Sequence, residues 1–179
     1  MKKILGIIIA TSVFVASSVF AQDGFYAGAS AGSAFIEDDS EGISFSGNDF
    51  AWKIFGGYMF NETFGMEAGW ADMGSPDDTV LGIPTKIEAD GYDLFAVGVL
   101  PVNDSFDVFG KAGIIGWNAK GYVDSVLVMD DDGTDLALGV GGRLKLSDSI
   151  RGRAEFEWFD ISDADKVWAI TVGIEVRFD

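Results

Sequence analysis

Strict alternation along a whole segment, repeated down the chain, leaves few folds open. From Trp168 the even positions are Trp168, Ile170, Val172, Ile174, Val176 and Phe178, all large and apolar. The odd ones are Ala169, Thr171, Gly173, Glu175 and Arg177. Period two is the mark of a strand with two unlike faces. It does not say which face lies inside, because a half-buried soluble strand alternates in the same way.

The pattern recurs in eight segments, approximately Phe25 to Phe35, Phe50 to Phe60, Phe64 to Ala71, Tyr92 to Val102, Phe106 to Ala119, Asp135 to Leu146, Ile150 to Phe159 and Val167 to Phe178. Three connections are tight: Asn61-Glu62-Thr63, Asn103-Asp104-Ser105 and Ser147-Asp148-Ser149. Their side chains can bond their own backbone. The other four are longer and acidic: Ile36 to Asp49, Asp72 to Gly91, Lys120 to Thr134 and Asp160 to Lys166. Short and long connections in alternation fit a meander whose two ends meet different surroundings.

The two faces differ in kind. Lys53, Glu67, Asp93, Lys111, Arg143, Lys145, Arg151, Arg153, Glu155 and Glu157 share one parity with many glycines. The opposite parity carries Trp, Phe, Tyr, Leu and Ile. A soluble sandwich or lipocalin-like barrel would bury the bulky face and wet the charged one. Small residues alternating with long charged ones instead suit the lumen of a narrow barrel, where charges can pair. Bulky apolar residues then face lipid. The spacing of aromatics agrees. Phe25, Tyr58, Phe60, Phe64, Phe106 and Phe178 lie beside the short turns, whereas Phe35, Trp52, Trp70, Tyr92, Trp158 and Trp168 lie beside the long connections. At roughly 3.3 Å per residue and a tilt near 45°, the two sets stand about 20 to 25 Å apart, the height of an outer-membrane apolar band. Trp52, Tyr58, Trp70, Trp158, Trp168 and Phe178 are the expected interface residues. Trp117 breaks the pattern by falling on the inward parity unless a bulge re-aims it.

The predicted fold is all-β: an eight-stranded antiparallel up-and-down transmembrane β-barrel, with short turns at one end and long acidic loops at the other. Lys2 and Lys3, the apolar run Ile4 to Phe20 and the small residues Val19 and Ala21 read as a signal peptide over residues 1–21, leaving residues 22–179 as one barrel domain. Without Lys2 and Lys3 that domain has 10 basic and 29 acidic side chains, a net charge of −19. Such a charge repels nucleic acid. The chain has no cysteine and no histidine. Disulfide scaffolds, thiol catalysis, cysteine or histidine zinc sites and histidine-based hydrolysis therefore fall away. The expectation is a non-enzyme without cofactor. The acidic run Asp130 to Asp135 invites a calcium reading through Asp130, Asp131 and Asp132. Its spacing departs from the alternating ligand order of a calcium loop, and a solvated acidic loop is the preferred reading.

In "GFYAGASAG", "KIFGGYMFNETFGMEAGW", "RGRAEFEWF" and the terminal "VGIEVRF", the chain resembles the eight-stranded outer-membrane barrels of the OmpA-like transmembrane domain. Because it ends at the barrel, it resembles a stand-alone OmpX-type member. The resemblance implies a Gram-negative outer-membrane protein with its turns in the periplasm and its long loops outside. The implied partners are outer-membrane lipids, lipopolysaccharide and the barrel assembly machinery, and the implied state is a monomer. The terminal strand is similar to the signal that machinery reads, although Asp179 follows the aromatic Phe178. The resemblance also implies a carboxylate and an arginine meeting inside the barrel, here Glu67 and Arg153, with Lys111 at another basic lumen position. Arg143 stands where the family carries a second acid, and Val97 where it carries a lysine. Glu67, Lys111, Arg143, Arg153 and Glu155 are the lumen ion-pair candidates. Three roles remain: a structural surface protein with a plugged lumen, a narrow pore, or a loop-mediated adhesin.

Overall fold

A computed structural model describes residues 24–40, 43–75, 77–80, 83–124, 126–161 and 166–178. The expected signal peptide and Asp179 lie outside these residues. The strands are β1 (Phe25–Ser40), β2 (Ile43–Met59), β3 (Phe64–Asp72), β4 (Asp77–Val80), β5 (Ile83–Asn103), β6 (Phe106–Val123), β7 (Val126–Lys145), β8 (Ile150–Asp160) and β9 (Lys166–Phe178). All but β4 form one antiparallel ring. β1 pairs with both β2 and β9, and β3 pairs with β5, so this ring of eight closes on itself. In hydrocarbon that closure is obligatory, because an unpaired backbone group there finds no water. β4 is a short addition to the far end of β5.

The three tight turns form as their sequences predict. The Asn61 side-chain oxygen accepts from the amides of Thr63 and Phe64, each at 2.9 Å. Asn103 accepts from Ser105 at 2.9 Å, and the Ser147 hydroxyl from Ile150 at 3.0 Å.

At the opposite end the expectation of long loops needs correction. Most of residues 36–49, 83–91 and 120–134 continue the ladders: Glu37 pairs with Ser46, Glu88 with Lys120, and Ala119 with Asp131. The aromatic belt marks where lipid ends and not where strands end. Beyond it water covers the outer face, so acidic residues can occupy outward strand positions without cost.

Within the belt the outer face is apolar and bare. Ile54, Leu94, Leu138, Val140, Ile170, Val172 and Ile174 are all exposed, Val172 by 64%. A contiguous apolar girdle of this size marks a surface that meets another apolar phase.

Candidate functional site: the barrel interior

Charged side chains from seven strands converge in the turn-side half of the lumen. Glu67 on β3 receives the guanidinium of Arg153 on β8 through two bonds, of 2.6 and 3.0 Å. It also accepts from Lys111 on β6 at 3.0 Å and from the hydroxyl of Tyr26 on β1 at 3.1 Å. Lys111 continues to Glu157 at 2.8 Å and to Glu155. Lys53 joins Glu157 at 2.7 Å and Asp93 at 2.6 Å. On the other side Arg153 reaches Glu155 at 2.8 Å and Glu175 at 3.6 Å. Glu175 meets Arg143 and Arg177, each at 3.4 Å, and Arg143 and Arg151 share Asp107. The network is unbroken from Asp93 to Arg151.

Six acids (Glu67, Asp93, Asp107, Glu155, Glu157, Glu175) face six bases (Lys53, Lys111, Arg143, Arg151, Arg153, Arg177) in this network. The large negative charge of the chain therefore lies outside it. Buried charges are costly unless paired, and every member of this network has an oppositely charged partner, although Asp93, one oxygen of Glu155 and the Nε atoms of Arg143 and Arg151 make no hydrogen bond among the described residues. All five sequence candidates, Glu67, Lys111, Arg143, Arg153 and Glu155, lie in the network and are buried. Lys53, Asp93, Asp107, Glu157, Arg151, Glu175 and Arg177 complete it. Their charged-face parity signalled a lumen position, but not which of them would touch.

Big residues are not confined to the outward face on which the alternation places them. Tyr26, Phe55, Phe95 and Phe109 point inward and are buried. Lys111 stands 4.2 Å from the Phe95 ring, and Arg153 lies between Phe55 and Phe109 at 4.3 and 4.4 Å. The desolvated cations gain from the ring faces. The rings fit because glycine lies beneath them: a Cβ on Gly28 would strike Phe55, one on Gly57 would strike Tyr26, and one on Gly141 would strike Phe109. The signal was in the sequence as inward glycines on strands adjoining inward aromatics.

Towards the long-strand end the lumen turns apolar. Ile36, Met73, Ile115, Ala137, Phe159 and Val167 are buried there. Trp117 does face inward, and its indole N–H donates to Asp135 at 2.7 Å. The Asp130 to Asp135 run is not a loop. It lies in β7, paired with β6, and Asp130, Asp131 and Asp132 are exposed on alternating faces. A strand turns successive carboxylates apart.

The interface aromatics form two belts. Tyr58 packs on Phe25 and Phe60 at ring distances of 4.7 and 5.5 Å, and Phe178 pairs with Phe25 in register. At the other belt Trp52 meets Trp70 edge-on at 4.9 Å, Trp168 stacks on Phe35 at 3.9 Å, and Trp158 is the cross-strand partner of Trp168.

A closed eight-stranded ring with an apolar girdle, two aromatic belts and a charge-paired interior defines a transmembrane β-barrel of the outer-membrane type. A family model described as the OmpA-like transmembrane domain matches residues 20–179, and the chain belongs to that family. It is a β-barrel protein of the Gram-negative outer membrane. Solved structures agree on the fold. Ail, the attachment invasion locus protein of Yersinia pestis, is 19% identical with a TM-score of 0.58, over 88% of this chain and 100% of that one. Neisserial surface protein A is 20% identical with a TM-score of 0.59, over 86% and 97%. OprG of Pseudomonas aeruginosa is 15% identical with a TM-score of 0.59, over 87% and 97%. No curated protein matches the chain by sequence.

Proposed function

We propose that this protein is a non-conducting, non-catalytic envelope barrel: a rigid scaffold that holds an acidic surface outside the membrane. One observation carries the reading. Glu67 and Lys111 sit at the centre of the lumen with side chains wholly shielded from solvent, and each has partners on several strands. An ion crossing here would have to break several buried charge pairs, and an eight-stranded barrel has little interior beyond its side chains. The rival reading as a pore predicts discrete conductance. Planar-bilayer recording of the refolded protein should show none, and steady single-channel openings in the unmodified protein would sink the proposal.

The same reading assigns the tight turns to the periplasm and the long strands to the outside. Export begins with residues 1–21, and lipid and lipopolysaccharide contact the girdle. The assembly machinery reads the last strand, and the closed ring, having no edge to share, works as a monomer. Ail has been crystallised with the heparin analogue sucrose octasulfate. The acidic outer strands here disfavour such a polyanion. If the outer end binds a partner as an adhesin would, neutral or cationic partners suit it better.

A further inference from the structure

Above the plug, between β1, β5, β6, β7 and β9, the apolar part of the lumen leaves a cavity of about 110 Å³ lined by Ile36, Met73, Ile87, Ala89, Trp117 and Val167, among others. Asp131 also lines it. Three features make this a formed pocket and not a packing fault. The indole of Trp117 is fixed by its bond to Asp135. Gly133 lets that ring lie against β7, since a Cβ there would come within 2.7 Å of it. The facing residues Ala89 and Ala119 are paired in register and small, so at their level β5 and β6 leave the space open. Apolar cavities of about 150 Å³ stay dry and accept benzene-sized guests.

The chemistry of the lining selects among such guests. The walls are aliphatic, one side is an indole, and the charge among the lining residues is the exposed carboxylate of Asp131, which accepts the Asp132 amide at 3.0 Å. A carboxylate beside an aromatic face suits a cation. The acidic outer strands raise the local concentration of cations and lower that of anions. We infer that the outer mouth of the barrel binds a small aromatic or aliphatic ammonium compound, with its apolar body against Trp117, Ile36 and Ile87 and its cationic head at Asp131. This binding is independent of whether the lumen below conducts.

The test is fluorine NMR of the full-length mature barrel in lipid nanodiscs, with its five tryptophans replaced by fluorotryptophan and the Trp117 signal assigned through Trp117→Phe. Phenethylamine, protonated at neutral pH, is the probe, with phenylacetate as the anion of similar shape. The ammonium should move the Trp117 resonance saturably while the four belt tryptophans, in contact with lipid, move little. Phenylacetate, and the ammonium with Asp131→Asn, should bind about tenfold more weakly, the loss of one charge-assisted contact. Ala119→Phe, or the milder Ala119→Leu if that variant does not fold, should abolish the shift. No saturable shift at Trp117 overturns the site. A shift that survives filling at Ala119 also overturns it, because the probe then sits elsewhere. Equal affinity for phenylacetate overturns the assignment of a cationic ligand.

Discussion

Glu67 and Arg153 stand 86 positions apart in sequence and meet through two bonds of 2.6 and 3.0 Å, one from each wall of the barrel. Neither bond is local, and neither strand touches the other in the sheet. The pair is a tie across the lumen, and its loss has a calculable consequence. Glu67→Gln or Arg153→Met leaves a buried charge with too few partners and should destabilise the barrel by about 3 to 5 kcal/mol. The double variant should cost less than the sum of the two, as judged by urea unfolding in lipid vesicles. Additive costs would mean the pair is not coupled. Exchanging the two charges should not restore stability, because Lys111 also rests on Glu67 and would then face an arginine.

The girdle predicts a dependence on depth. Val172, exposed on the lipid face between the two belts, should lose about 2 to 4 kcal/mol when changed to Arg. Asn118→Arg, on an outward position of β6 beyond the belt, should cost about 0 to 1 kcal/mol. Equal costs in vesicle unfolding would place the membrane wrongly.

The first tight turn depends on one oxygen. Asn61→Ala removes the acceptor of two amides and should cost about 1 kcal/mol, the net worth of an ordinary hydrogen bond. Asn61→Asp, which keeps an acceptor, should fall between. Unfolding midpoints of the three proteins would check the order.

Asp49 gives a pH dependence beyond the belt. Its carboxylate accepts from the amides of Ser75 at 2.8 Å and Phe50 at 2.7 Å, and those bonds hold its pKa below the ordinary carboxylate value. A depressed folded pKa means the tether of residue 75 to β2 is fully present above the unfolded value of about 3.9 and is lost as pH falls through the lower folded one. The Ser75 amide proton shift should therefore be flat from neutral pH to about 4 and move below it. In Asp49→Asn that step should vanish.

Much of the barrel could be read from residues alone, for a physical reason. Lipid outside and paired charge inside force every membrane-crossing strand to alternate, so parity assigned Val172 to lipid and Glu67 to the lumen, and Asn61 and Ser147 marked their turns. Beyond the belt water lies outside and the lumen becomes apolar, so the contrast that guided the reading reverses. Most of the described residues from Ile36 to Asp49 and from Lys120 to Thr134 thus read as loops in sequence although they pair as strands. Parity also places Lys53, Lys111 and Glu157 on one face, but not within reach of one another. Their contact depends on strand stagger and ring closure, which align residues from β2, β6 and β8 at one height. The sequence determined which side chains enter the barrel; the tertiary structure decided which of them meet, since that depends on distances across a closed ring that no single strand contains.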